Sequence, residues 1–502
     1  MKTSVEPAVS GSLELKRAAS TVSAHHNVER LLTGPIGATL WRLAVPNTIG
    51  FLVGSGVTVA EMWFVGQLGI HSLAGLALGF PMFMLMMMLS AGAIGGSIAA
   101  AVARAVGAGD NATAEALAWH ALVIALVAGA LFTLVFLTFG PAIYAALGGG
   151  GETLAAALAY SDIVFAGCLI VWMFNTFASL LRGAGDMKAP ALAMLLTAAV
   201  QVPLSGALSL GWGPFPRLGI AGVAWGALIA MAVATVVLGL RLISGRGGLR
   251  LRFAALHLQR GLFRDILRVG LVAAANPLLT VATVVLLTGL VSRYGDAALA
   301  GFGIGARLEF VLIPIVFGIG AALIAMVGAN IGAGQLTRAH RIGWTGGAAA
   351  TVIAGAIGTA TAVWPDAWAG ILTQDAAVFA AGAAYLGIVA PFYAFFGLGL
   401  SLYFASQGAG AVFWPVVAGA GRLLVAVGGG ALAVGWLDAG YDQLLGFVAA
   451  GMVVYGLGTA LSILLGAWRG AIGSRSKSKA WLRRARFSSS PPPPLPLGSV
   501  PR

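Results

Sequence analysis

The sequence predicts an all-α integral membrane protein, with twelve transmembrane helices arranged as two parallel six-helix repeats around a central cavity. Three observations predict this fold: the composition, the apolar runs and an internal repeat. Of the 502 residues, 59% are hydrophobic and 9% are charged, and the mean hydropathy is +0.95. Because soluble domains carry about 25% charged residues, most of this surface must face membrane lipid. That composition excludes a soluble enzyme and a nucleic-acid-binding protein.

Twelve apolar runs divide the chain, and each is long enough to cross a bilayer as a helix. A crossing helix needs about 20 mostly apolar residues. The runs are too long, and too poor in strict alternation, for the strands of a membrane barrel. The predicted spans are 41–65, 75–103, 117–139, 160–181, 190–212, 219–242, 267–290, 300–328, 343–364, 380–405, 415–436 and 444–467.

The basic residues predict the orientation in the membrane. With twelve spans, both ends of the chain lie on one side, which also carries the segment 243–266 and its five arginines. Eight further Lys and Arg follow residue 467, whereas acids predominate in the opposite loops. The positive-inside rule therefore predicts a multi-pass protein of the inner, cytoplasmic membrane with both termini in the cytoplasm. We expect residues 1–35 to form an N-terminal tail and the Pro-rich 468–502 to form a disordered C-terminal tail.

An internal repeat divides the membrane region. Segment 65–79 matches segment 291–305 at an offset of 226 residues, and the match continues at an offset of 225. This spacing predicts two six-helix lobes, 36–242 and 267–467, joined by a basic linker, 243–266. Because each lobe has an even number of spans, both have the same orientation and enclose a cavity that can open to either side in turn. The alternative is a duplicated scaffold without transport.

Several segments identify a family resemblance. LTGPIGATLWRLAVP (32–46), AEMWFVGQLG (60–69), LLRGAGDMKAP (180–190) and ANIGAGQLTRAHRI (329–342) resemble the multidrug and toxic compound extrusion (MATE) family in their order and spacing. The resemblance extends over about 430 residues and both lobes. It implies a secondary antiporter in which entry of H⁺ or Na⁺ drives export of small amphipathic, often cationic compounds. The coupling ion is the only cofactor that it implies.

Glu61 is the first candidate for ion coupling. A charge at the bilayer centre costs about 2.5–3.5 kcal/mol on insertion scales, so an intramembrane acid is a functional hypothesis by default. Glu61 matches the first-helix Asp of the family, fifteen residues after the helix-bending Pro46, and the resemblance implies a coupling role. A partly dry cavity favours proton binding, and Pro46 makes the helix easier to bend. The alternative is that Glu61 lies in interfacial water and anchors the helix end.

The coupling ion is predicted from acidic residues of the family pattern that this sequence lacks. An N-x-x-x-D pair often faces the first-helix acid in the family, but Gln201 and Ser205 stand at the matching positions. The acids that other branches of the family use in the second lobe are also missing. Thr280 and apolar neighbours stand where the seventh span would carry an acid, and the tenth span, 380–405, contains none. A sodium cage usually needs compensating negative charge. These losses favour H⁺ over Na⁺.

Glu309 competes with Glu61 for this role. It lies about nine residues into the eighth span, two residues after Arg307. Side chains at i and i+2 do not share a helix face, so Glu309 is expected to pair with other helices. Three roles stay open for it: a coupling site, a contact for a substrate cation, and a structural ion pair. Arg307 and Arg422 are the candidate cations near the midplane.

Other polar residues have less specific readings. Asn175, in the fourth span, either lines the first lobe's cavity or makes an interhelical hydrogen bond. The methionine-rich run 81–90 offers an adaptable apolar surface to varied substrates where it faces a cavity, and packs elsewhere. Arg104, Arg182 and Asp186 are expected at helix ends, where they tie loops together.

Motifs for other chemistry are missing. The sequence contains no GxxxxGK[ST], HExxH or CxxC, and its six histidines are scattered, so we predict no metal, no further cofactor and no ATP drive. An intramembrane enzyme is the remote alternative. A nearer alternative is a flippase or exporter of a lipid-linked or specific metabolite. A lipid-linked sugar would need a large basic cavity for its pyrophosphate. We expect a monomer that takes small amphipathic molecules as substrates.

Overall fold

The computed structural model describes residues 28–252 and 256–469, which fold as a helical bundle without strands. Eleven helices are long and apolar enough to cross a membrane, and a pair bent by 51° at Gly167 supplies the twelfth span. These correspond one to one with the predicted spans and confirm the all-α fold. In chain order they are α1 (Ile36–Gly66), α2 (Ile70–Gly107), α3 (Asn111–Ala146), α4 (Gly151–Ala166 and Cys168–Gly183), α5 (Lys188–Leu210), α6 (Ile220–Ser244), α7 (Arg260–Tyr294), α8 (Asp296–Gly332), α9 (Leu336–Val363), α10 (Ala376–Ala409), α11 (Phe413–Trp436) and α12 (Tyr441–Leu464).

Two hydrophobic cores organise the bundle. One is built mainly from α2 to α6, and the other mainly from α7 to α12 with contributions from α1 and α2. We call α1–α6 the N-lobe and α7–α12 the C-lobe. The segment between them runs from 245 to 259, shorter than the predicted linker 243–266, because both flanking helices continue past their apolar runs. The side of the membrane that carries this segment is called the linker side, and the opposite side is called the far side.

Two short segments that flank the membrane helices, one at Leu31 and one at Trp468, pack against the C-lobe. Asn330 Nδ2 donates to the Leu31 carbonyl oxygen at 2.9 Å, so part of the predicted tail 1–35 is in contact with α8. Trp468, the first residue of the predicted tail 468–502, is fully buried and donates to Ser406 Oγ at 3.1 Å. These short segments pack locally although they are too short to be predicted as spans. The rest of the predicted tails, 1–27 and 470–502, lies outside the described residues.

Glycines bring the two lobes together at the linker side. Gly107, at the end of α2, packs directly on the backbone of Ala329 in α8, and Gly332 packs in the same way on the backbone of Arg104. A side chain at either glycine would overlap the opposite helix, so the close approach of α2 and α8 requires residues without Cβ.

Polar contacts reinforce the same interface. Arg104 Nη1 donates to the Gly408 carbonyl oxygen at 3.0 Å. Gln407 Nε2 donates to the carbonyl oxygens of Gly92 and Ala93 at 3.0 and 2.9 Å. All five residues lie in the linker-side halves of α2 and α10. The lobes are therefore closed against each other at the linker side.

A bulky residue at position 107 is expected to open that closure. In a Cys168→Ala background, a cysteine placed at the buried Ser97 of α2 reports access to the interface through reaction with a membrane-impermeant maleimide. We expect Gly107→Leu to increase labelling several-fold, because leucine overlaps the Ala329 backbone. Gly261→Leu is the matched control, since a Cβ at Gly261 meets nothing within 4 Å. Unchanged labelling in a folded Gly107→Leu protein would contradict this reading of the interface.

Candidate functional site

A cavity of about 290 Å³ lies inside the N-lobe, with its remaining wall formed by α8. Most of its lining is apolar, aromatic or thioether, including Met84, Met87 and Met88 of the methionine-rich run. A surface of this kind adapts to ligands of different shape. The polar lining side chains are few: Ser55, Thr58, Glu61, Tyr160, Asn175, Arg182, Thr197 and Gln201.

Glu61 lies on α1 toward the far side of this cavity and is 9% exposed. Gln201 Nε2 donates to Glu61 Oε1 at 2.7 Å, and Ser205 Oγ approaches the same oxygen at 3.4 Å. The Ser205 hydroxyl is also 3.3 Å from the Val223 carbonyl oxygen, so its single proton serves one acceptor at a time. The structure therefore brings together the three residues that the sequence aligned with the family's acid and its partners.

The second carboxylate oxygen of Glu61 is free. Within the described residues, Oε2 accepts no hydrogen bond and no Lys, Arg or His forms an ion pair with Glu61. Buried charges are normally paired. Glu61 also lines the cavity, and a cavity-lining carboxyl without an ion-pair partner suits a group that binds and releases a proton.

Pro46 lies on α1 toward the linker side from Glu61, outside the residues that line the cavity. Fifteen residues of helix separate them, which corresponds to roughly 22 Å. Helix α1 continues through Pro46, and the next residue, Asn47, is fully buried. Asn47 Nδ2 donates to the Leu43 carbonyl oxygen at 3.2 Å, while its Oδ1 accepts from Arg182 Nε at 3.2 Å. Any effect of Glu61 on the helix at Pro46 must therefore be transmitted along α1.

The position of Asn175 is compatible with both roles that were predicted for it, cavity lining and an interhelical hydrogen bond. It lines the N-lobe cavity, and its Nδ2 donates to Ser90 Oγ at 2.9 Å. Ser90 belongs to a π-helical turn of α2, Met88–Ile94. Such turns are frequent at functional sites, so Asn175 joins α4 to a deformable part of α2.

The C-lobe has its own cavity of about 240 Å³, which adjoins the N-lobe cavity at Met84, Met88, Ile313 and Phe317. A small pocket of about 40 Å³ beside it contains Glu309. These shared side chains belong to α2 and α8, so the two cavities adjoin in the central region where the sequence predicted a cavity.

Glu309 is paired. Tyr385 OH donates to its Oε1 at 2.6 Å, and Arg422 Nη2 lies 3.4 Å from its Oε2. The side chains of Arg422 and Glu309 are 10% and 15% exposed. The Arg422 guanidinium also lies over the Phe396 ring, 5.0 Å from its centroid. Glu309 thus differs from Glu61, because both of its oxygens already have protein partners.

Arg307 lies away from these sites. Its side chain is exposed, and it lines none of the three cavities. The separation of Arg307 from Glu309 follows from helix geometry, since two residues along a helix turn the side chain by about 200°. The partner of Glu309 is instead Arg422, 113 positions later.

Two side chains at the cavities, Arg182 and Tyr385, were not predicted from the sequence to lie there. Arg182 lines the N-lobe cavity although its place near the end of α4 indicated a loop contact. Tyr385 holds Glu309, and the internal repeat supplied a signal for it, because Tyr385 is the repeat counterpart of Tyr160, which lines the cavity of Glu61. Tyr160 makes no hydrogen bond to Glu61 in the described structure, so the two lobes hold their acids differently.

Within residues 28–252 and 256–469, no group of three or more His, Cys, Asp and Glu side chains is arranged to hold a metal ion.

Two repeated helical lobes with adjoining internal cavities define a membrane-embedded transporter. The MatE family model matches residues 46–206 and 273–432, one match in each lobe. The chain belongs to this family, the multidrug and toxic compound extrusion transporters.

Relatives of this chain are described as transporters of different kinds. The FAD transporter of Shewanella oneidensis is 27% identical over 311 residues, which are 62% of this chain and 69% of that protein. The probable multidrug resistance protein NorM of Thermotoga maritima is 24% identical over 383 residues, covering 75% and 81% of the two chains. The probable multidrug resistance protein YoeA of Bacillus subtilis is 24% identical over 313 residues, covering 61% and 67%.

Solved structures show the same fold. One is an outward-facing conformation of a multidrug resistance MATE family transporter, with a TM-score of 0.78, 24% identity and coverage of 89% of this chain and 98% of that one. Another, a transporter of the MOP superfamily from Pyrococcus furiosus, has a TM-score of 0.80 with 24% identity and the same coverage.

Proposed function

We propose that this protein is a secondary antiporter that exports small amphipathic compounds in exchange for protons, by alternating access of its two lobes. The observation that carries this proposal is Glu61, a buried carboxyl that lines the N-lobe cavity and forms no ion pair with any described residue. Membership of the MATE family and the multidrug resistance names of several relatives support the export role.

Protonation of Glu61 would rearrange its hydrogen bonds. The ionised carboxylate accepts from Gln201 and Ser205, and these bonds join α1 to α5. A protonated carboxyl accepts less strongly, which frees the Ser205 hydroxyl to donate to the Val223 carbonyl oxygen instead. Proton binding thereby loosens the far-side end of α1, and Pro46 allows the rest of the helix to bend.

The ligand set around Glu61 supports H⁺ over Na⁺. Only one carboxylate is present, with one amide and one hydroxyl beside it. The amide approaches Glu61 with its nitrogen, which is a donor and offers no lone pair to a cation. A sodium ion would need this amide to turn over and further oxygens to converge.

The basic linker supports a cytoplasmic position for the linker side, and therefore for both chain termini, in the inner membrane. The structure is closed on that side, at Gly107 and Gly332. In this orientation the cavities belong to the state that serves release to the outside. The inward-open state requires the two glycine contacts to separate. We propose that a monomer performs the whole cycle, since each lobe supplies half of the interface.

A second candidate function is export of one particular metabolite instead of varied drugs. The relative from Shewanella oneidensis, described as an FAD transporter, favours it at 27% identity. Both candidates share the same lobes, the same proton site and the same direction of transport, and they differ only in the chemistry of the cargo.

Gradient-driven transport in proteoliposomes tests the proposal. The purified protein is reconstituted, and uptake or efflux of fluorescent probes with cationic, zwitterionic and anionic groups is followed under an imposed pH gradient or an imposed Na⁺ gradient. We expect the pH gradient alone to drive transport of at least one probe, and transport to cease when a protonophore dissipates it. Transport driven only by Na⁺ would overturn the proton assignment. No transport of any probe by folded protein would overturn the antiport proposal.

A further inference from the structure

Arg182 is a buried cation at the linker-side end of the N-lobe cavity. It is 5% exposed and lines the cavity. Its Nε donates to Asn47 Oδ1 at 3.2 Å, and its guanidinium lies over the Phe51 ring, 5.3 Å from the centroid. Nη2 is 3.9 Å from Met194 Sδ, and Nη1 makes no hydrogen bond to any described residue. Half of the guanidinium fork thus has no strong acceptor.

The nearest acid in sequence does not compensate this charge. Asp186 Oδ2 accepts from Arg241 Nε at 2.8 Å and is 2.7 Å from Arg241 Nη2. Asp186 Oδ1 accepts from the Ala189 backbone N–H at 3.1 Å. Both oxygens therefore have partners, and no ion pair joins Asp186 to Arg182 within the described residues.

Arg422 in the C-lobe provides an internal comparison. Each arginine lies over a phenylalanine ring, at 5.3 Å for Arg182 and 5.0 Å for Arg422. Arg422 also has the Glu309 carboxylate, whereas Arg182 has only the amide oxygen of Asn47. A buried cation without an anion is strongly disfavoured. The two arginines therefore differ in their partner: Arg422 has a carboxylate, and Arg182 has no carboxylate among the described residues.

We propose that Arg182 binds an anionic group, a phosphate or carboxylate, of the exported molecule, whose apolar part lies on the aromatic and methionine lining of the cavity. The guanidinium fork matches the geometry of these groups. This inference rests on the proposed export function and narrows its substrate class from small amphipathic compounds in general to those that carry an anionic group. It also agrees with the second candidate function, since a flavin nucleotide is an aromatic compound with phosphate groups.

The anion site and the proton site act through the same helix. Phe51 and Asn47, which contact Arg182, lie ten and fourteen residues from Glu61 on α1, and ten residues correspond to roughly 15 Å. Direct charge interaction over that distance is weak near a water-accessible cavity. Bending of α1 after proton binding at Glu61 moves Phe51 and Asn47 away from Arg182 and so weakens the anion site. Proton binding thereby releases the cargo, as an antiporter requires.

A matched pair of ligands tests the inference without any gradient. Riboflavin and riboflavin 5′-phosphate differ by one phosphate group, and their fluorescence reports binding to the full-length protein in zwitterionic detergent. We expect the phosphate ester to bind the wild type roughly ten- to a hundredfold more tightly, as a charge-assisted contact provides. Equal affinities in the wild type would overturn the inference, and this result needs no variant to fold.

Three variants assign the preference to Arg182. Arg182→Gln is expected to remove it, and Arg182→Lys, which keeps the charge, to retain part of it. Arg293→Gln, the same change at an exposed arginine on the far side, is expected to behave as the wild type. A preference that persists in folded Arg182→Gln would place the anion site elsewhere and overturn the assignment.

The source of the anion is decided by competition. Riboflavin 5′-phosphate binding is measured with added phosphatidylglycerol or with added phosphatidylcholine. Displacement by phosphatidylglycerol alone supports the anion site with lipid headgroups as occupants, and no displacement by either supports it with free amphiphiles. Displacement by both lipids equally, without a phosphate preference, contradicts it. Because the assay measures binding, the two failures are distinguishable: loss of gradient-driven transport would overturn the antiport proposal, and loss of the phosphate preference would overturn the anion site at Arg182.

Discussion

Glu61→Gln is expected to reduce proton-driven efflux to the rate of protein-free liposomes. Glutamine has nearly the same size as glutamate and keeps an oxygen for the bonds from Gln201 and Ser205, but it does not titrate. The variant therefore resembles the protonated carrier permanently. Exchange of labelled for unlabelled substrate across liposomes without a gradient is expected to persist at reduced affinity. The measurement compares both rates, net efflux under a pH gradient and exchange at equal pH, in the same preparation.

Two controls separate coupling from folding and from substrate contact. Glu61→Asp keeps a carboxyl with a shorter reach and is expected to restore part of the proton-driven rate. Glu152→Gln makes the same change at an exposed acid on the far side, and both rates are expected to equal those of the wild type. Normal proton-driven efflux by Glu61→Gln would refute the N-lobe coupling site and direct attention to Glu309.

The membrane helices could be predicted from hydropathy, and their ends could not. The run predicted as 117–139 belongs to a helix that extends over Asn111–Ala146, because Asp110 caps its first turn by accepting from the Thr113 N–H at 3.0 Å. Hydropathy detects the lipid-embedded part of a helix but gives no information about such caps. The bend at Gly167 was also unpredictable, since a glycine in an apolar run has no distinct signal. It becomes visible only where Leu228 packs against that glycine.

The candidate site could be predicted where the family resemblance supplied positions. Glu61, Gln201 and Ser205 were aligned with the family's acid and its partners, and the structure places Gln201 and Ser205 within hydrogen-bonding distance of Glu61 Oε1. Contacts between distant segments without such alignment were missed. The surroundings of Arg182, namely Asn47 and Phe51, depend on how α1 crosses α4, and a sequence pattern within one helix carries no information about that crossing.

Removal of Arg422 alone is expected to destabilise the protein strongly. Arg422→Met leaves Glu309, whose side chain is 15% exposed, with the Tyr385 hydroxyl as its remaining partner among the described residues, and breaking a buried ion pair from one side costs about 3–5 kcal/mol. The double variant Glu309→Gln, Arg422→Met has no uncompensated charge, so most of that loss is expected to return. Thermal unfolding of the four proteins in detergent, arranged as a double-mutant cycle, measures the coupling energy between the two side chains.

The same double variant decides between the three roles open for Glu309. We expect it to retain proton-driven efflux, because Arg422 already occupies Glu309 Oε2 and Tyr385 occupies Oε1, which are the contacts of a structural ion pair. A stable double variant without proton-driven efflux would assign coupling to Glu309. A stable double variant that keeps efflux but binds cationic probes more weakly would assign it a substrate contact. Stability is measured on the same samples, so loss of transport through unfolding is recognised directly. With Glu309 in a structural pair, we propose that Glu61 couples the proton, because it lines the N-lobe cavity and forms no ion pair with any described residue. In this proposal the proton site and the cargo site both belong to the N-lobe.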